Sequence, residues 1–109
     1  MRQQGDVVIE VVEALPHTAQ RVEAVEGRFE IAHGESGNVH TVEAAAGWAL
    51  FDDAGTLYLR RATGQGGTLV HTGPSRHHLP VDLPDGAVVR FRRVREVDHV
   101  AGLTRSVMD

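Results

Sequence analysis

The sequence predicts an all-β domain, built as a small barrel, a β-roll or a sandwich, and three observations lead there. Short runs of alternating apolar and polar residues recur along the chain at close spacing. Turn residues separate them, above all glycine, which occurs twelve times in 109 residues. No stripe of helical period longer than about ten residues appears. Six to nine strands fit this pattern. The length suits a single domain spanning residues 1–109. Aromatic residues make up only 5%, so the core must come mainly from Val, Leu, Ala and Ile, of which Val and Ile favour strands.

Taken in order, Asp6 to Glu13 is a strand in which Val7, Ile9 and Val11 share one face. Pro16 ends it, because proline donates no ladder hydrogen bond. A short strand over Gln20–Val25 leads to a turn at Glu26-Gly27. Arg28 to His33 alternates, and a strict period of two puts His33 on the apolar face with Phe29 and Ile31. After the turn at Gly34–Asn38, Val39 to Ala44 puts His40 on the face of Val42. Trp48 to Phe51 and Thr56 to Arg61 form a hairpin around Asp52-Asp53-Ala54-Gly55, with Leu57 and Leu59 inside and Tyr58 outside. Thr68 to His71 places His71 with Leu69. The stretch His77 to Gly86 is extended and closes in a Pro-Asp-Gly turn. Ala87 to Val97 is the longest strand, and Asp98 to Met108 allows a short C-terminal helix with Asp98 as its cap.

Composition excludes several functions. Cysteine is absent, which rules out disulfides, iron–sulfur clusters and thiolate zinc sites. The first residues contain no apolar stretch of the kind a signal peptide needs, and no apolar run approaches 18 residues. The expectation is a soluble cytoplasmic protein. Every one of the 11 basic residues is arginine. The net charge of −4 conceals an asymmetry: residues 1–54 carry 3 Arg against 10 Asp and Glu, and residues 55–109 carry 8 Arg against 5. This split neutralises one half of a fold with the other, or complements a partner or a second copy. Arg90, Arg92, Arg93 and Arg95 are its densest part. They read as a charged interaction strand or as an edge strand guarded by charge and paired with acids. Overall acidity and few aromatics argue against nucleic acid as a partner.

The histidines carry the chemistry. His33 and His40 flank one Gly-rich turn, and His71, His77 and His78 flank a later loop. Three or four imidazoles, with a carboxylate, suit Zn, Fe, Mn or Ni. His40, His71 and His78 are the candidate ligands, with His33, Glu35 and His77 in reserve. The alternative is that these are polar residues beside turns. Ser36 and Ser75 lie in no nucleophile elbow, and Asp52-Asp53 reads as a solvated hairpin tip. Nothing in the sequence decides for or against an enzyme.

The segments Gln4-Gly5-Asp6-Val7-Val8, Gly34 to His40, Leu57-Tyr58-Leu59, His71 to His78, Leu83-Pro84-Asp85-Gly86 and Arg92 to Glu96 resemble a group of small uncharacterised bacterial and phage proteins. That group reads GDVLL, GEVTGHAH, LYL, THEEH, LPPG and RRQREY in turn. Its histidine layout resembles that of cupins, small β-barrels that bind a metal through an early His-x-His and a later His. The resemblance implies a cupin-like barrel with His40, His71 and His78 as ligands. Asn38 stands where the first early histidine would be, and His77 where the group has an acid. The rival readings are a non-enzymatic interaction module, such as a phage or defence accessory protein, and a structural homo-oligomer.

Overall fold

The computed structural model describes residues 1–33, 37–73 and 78–94. Among these residues there are ten β-strands and no helix. They are β1 (Arg2–Gln4), β2 (Val7–Val12), β3 (Gln20–Val22), β4 (Arg28–His33), β5 (Val39–Glu43), β6 (Ala49–Asp53), β7 (Thr56–Arg60), β8 (Thr68–Thr72), β9 (Val81–Asp82) and β10 (Val88–Arg93). The expected C-terminal helix over Asp98 to Met108 lies outside the described residues.

All pairings are antiparallel. A six-stranded sheet has the order β1-β2-β10-β7-β6-β3, and a four-stranded sheet the order β4-β5-β8-β9. The sheets share one hydrophobic core. Ile9, Leu50, Leu59, Val89 and Phe91 enter it from the larger sheet, and Phe29, Ile31, Val42 and Leu69 from the smaller. The sandwich alternative therefore describes the fold. Each Leu that is fully buried there contributes roughly 1.5–3 kcal/mol.

Turn chemistry sets the hairpins. Glu26 and Gly27 both have positive φ, 53° and 75°, and Val25 and Arg28 exchange backbone hydrogen bonds across them, as in a tight two-residue turn. At the next hairpin, Asp52 Oδ1 accepts from the Gly55 N–H at 2.9 Å and Asp53 accepts from the Thr18 hydroxyl. Asp52 thus shapes the turn, and Asp53 ties the hairpin to Thr18 in the segment before β3.

Three expectations about faces need correction. The β4–β5 register shifts between Glu30 and Ala32. This bulge buries both Ile31 and Ala32 and turns His33 outward, because one extra residue reverses a period of two. Tyr58 is buried despite its outward position, between Phe51 on β6 and Arg90 on β10. The arginine-bearing strand is not an edge: β10 lies between β2 and β7. Its arginines do meet acids. Glu10 Oε1 accepts from Arg90 at 3.0 Å and from Arg92 at 2.8 Å. Asp6 Oδ2 accepts two hydrogen bonds from Arg93, at 2.6 and 2.8 Å. Arg95 lies outside the described residues.

Candidate metal centre

Strand pairing alone brings two histidines together. His40 on β5 stands directly opposite His71 on β8. Each alternates with outward residues, so both imidazoles enter the interior, with relative exposures of 0% and 3%. Their ring centroids are 4.5 Å apart. His78, on the segment leading into β9, adds a third ring, 4.8 Å from that of His71 and 6.4 Å from that of His40. All three candidate ligands therefore lie in one cluster. His33 does not. It is exposed on the outer face, where its Nδ1 meets Glu30 Oε1 at 2.8 Å. Glu35 and His77 lie outside the described residues.

A residue that sequence reading passed over orients the cluster. Gln4 is buried at the end of β1, opposite Val7. Its Nε2 donates to the carbonyls of Leu69, at 2.9 Å, and Leu79, at 2.8 Å. A backbone carbonyl can only accept, so these two bonds determine which end of the amide is nitrogen. Gln4 Oε1 then faces His40 Nδ1 at 2.8 Å and can only accept there. Nδ1 must therefore carry a proton, and in the neutral ring Nε2 is the nitrogen left with a lone pair. The same side chain ties β1, β8 and the His78 segment to one another. A sequence signal for it existed: with Gly5-Asp6 as a two-residue turn, alternation puts Gln4 on the face of Val7 and Ile9.

Asn38, two residues before His40, is buried against Gly73. Gly73 has φ of +139°, and a Cβ placed there would come within 2.4 Å of Asn38 Oδ1. Only glycine fits opposite this side chain.

A family model, Domain of unknown function (DUF8820), matches residues 3–94. The chain belongs to the DUF8820 family. The match takes in Gln4 and all three clustered histidines of this DUF8820 domain. No curated protein and no solved structure matches the chain. Among the described residues, no helix is long and apolar enough to cross a membrane. Among the described residues, no three His, Asp or Glu side chains are arranged so that they could hold a metal ion as they stand. What the site can do rests on the rings themselves: three nitrogen-donor side chains from separate segments, one with its tautomer defined by a hydrogen-bonded partner.

Proposed function

We propose that this DUF8820 domain binds a divalent transition metal through His40, His71 and His78. The observation that carries the reading is the convergence of the three imidazoles around a Gln4-oriented His40. Three rings on one tetrahedral ion, each nitrogen about 2.0–2.1 Å from it, have centroids about 5 Å apart. The observed separations of 4.5, 4.8 and 6.4 Å bracket that value. The fit asks the His71 and His78 rings to turn toward a common point while His40 keeps its place. Metal-binding histidines usually donate their second N–H to a fixed acceptor, and Gln4 Oε1 is such an acceptor. An all-nitrogen set suits Zn, Fe, Mn or Ni, and three ligands leave a position for water or a substrate. The cupin-like histidine layout belongs to the same reading.

The test loads untagged protein separately with Zn, Mn, Fe and Ni, desalts it, and measures bound metal and thermal shift. At least one metal should remain near one equivalent and raise the melting temperature. The double change His40→Ala with His71→Ala should abolish both effects. Uptake should fall below roughly pH 6, because only neutral imidazole is a ligand. Retention of none of the four metals would end the proposal.

A further inference from the structure

The outer face of the smaller sheet carries a second feature, unrelated to the histidines. A groove of about 540 Å³ lies there, within the roughly 300–1,000 Å³ range of small-molecule sites. Its floor is the cross-strand pair Thr41 and Val70. Thr68 and Thr72 flank Val70 at the outward positions of β8, and Ala44, Ala45 and Trp48 form a wall. Arg28 and Glu43, direct partners across β4 and β5, stand at one end.

The geometry points to a neutral carbohydrate as the ligand of this groove. The charge of the lining selects against ions: Glu43 repels an anion drawn by Arg28, and Arg28 repels a cation drawn by Glu43. A neutral polyol can use both, accepting from the guanidinium and donating to the carboxylate. The threonine hydroxyls extend the same pattern. Thr68 donates its proton to Asp82 Oδ1 at 3.0 Å, so it meets a ligand as an acceptor. Sugars also present apolar C–H faces, which pack on flat aromatic surfaces. Trp48, half-buried against the core, is the aromatic residue that lines the groove, and it is held in position. A Cβ at Gly67 would lie 2.8 Å from Trp48 Cη2, so the edge of the indole rests directly on that glycine. Val70, Ala44 and Ala45 continue the apolar side of the groove.

Trp48 is the sole tryptophan of the chain, so its emission reports on the groove without a label. The experiment titrates the full chain with glucose, galactose, N-acetylglucosamine and maltose, and with galacturonate, glucosamine and a threonine-containing dipeptide as comparisons. A neutral saccharide should give a saturable change in Trp48 emission at millimolar concentrations, confirmed by calorimetry. The double change Thr41→Val with Thr72→Val, which keeps strand-forming side chains, should weaken that sugar about fivefold or more. Glu43→Gln should improve galacturonate relative to galactose. The inference is overturned if no neutral saccharide gives a saturable change up to tens of millimolar. It is equally overturned if the charged sugars or the dipeptide bind better than every neutral sugar, or if the threonine variant binds as the wild type does. None of these outcomes depends on metal binding.

Discussion

Arg61 and the His40–His71 pair are both polar groups taken almost out of water, and they are buried in different ways. Arg61 is 2% exposed. Its guanidinium donates to the carbonyls of Gly66, Pro84 and Gly86, the last at 2.7 Å. Those carbonyls belong to two loops that also bond to each other, Leu83 N–H to Gly67 O and Gly86 N–H to Gly64 O. Burial pushes the Arg61 pKa below its ordinary value, with Asp85 partly opposing this, but an arginine remains charged. The two terminal nitrogens of Arg61 thus hold the loops together, while its Nε is buried without a hydrogen-bond partner among the described residues. In the other region, strand pairing sets His40 against His71, and the ring of His78, from the segment before β9, joins them. The two regions differ in what surrounds the buried polar group: backbone carbonyls around Arg61, other imidazoles around His40 and His71.

The largest effect should follow from removing the loop clamp. Arg61→Met retains much of the stem but leaves three carbonyls without their shared donor. Unfolding free energy should drop by roughly 3–4 kcal/mol, measured by urea titration. Arg61→Lys should recover only part, since an ammonium cannot fork to three acceptors as a planar guanidinium does. A loss below about 1 kcal/mol would mean that the carbonyls find water readily, and the contrast with the histidines would collapse.

Gln4 tests the other side. Gln4→Met keeps the volume but removes the acceptor that defines the His40 tautomer. Metal affinity, measured by competition with a chelator, should fall about 10–100-fold. Equal affinities in wild type and variant would show that His40 needs no orientation from Gln4. The affinity change and the accompanying loss of stability are separate readouts, so a merely structural Gln4 would alter only the second.

Much of this was legible in the sequence. Alternation located most strands and put His40 and His71 on the inner face, because each sits on a regular ladder. It failed at His33, where a bulge inserts a residue that no composition marks, and at β10. Four arginines in six residues suggested an edge, yet β10 is interior to the sheet, where Glu10 and Asp6 on and beside β2 pair with Arg90, Arg92 and Arg93. Arg61 and Gln4 were missed for a common reason. Each bonds to backbone carbonyls, and carbonyls leave no trace in a list of side chains. Arg61 follows a strand like any exposed arginine. Gln4 reveals itself only when the first turn is placed and the register carried across it.

The smallest expected effect is at Glu10, and it sharpens the comparison through pH. The Arg92 hydrogen bond, supported by Arg90 and opposed by partial burial, holds the Glu10 carboxyl below its ordinary value of about 4.5. A carboxylate whose pKa is lowered by folding contributes stability above its unfolded value and loses it as pH falls through the folded one. These side chains are one-quarter to two-fifths exposed, so the contribution is at most about 1 kcal/mol. Glu10→Gln should therefore unfold at slightly lower urea than wild type at pH 7, with the gap closing as pH drops below 4.5. A gap that does not change with pH would mean that Glu10 acts through packing and not through its charge. Metal uptake by imidazoles should fail nearer pH 6, where Glu10 is still ionised. In one pH series with and without metal, the metal-dependent stabilisation should disappear first and the Glu10 contribution only afterwards. Loss of both in the same window would show that the ion pairs and the histidine cluster report one shared unfolding event, not two independent regions.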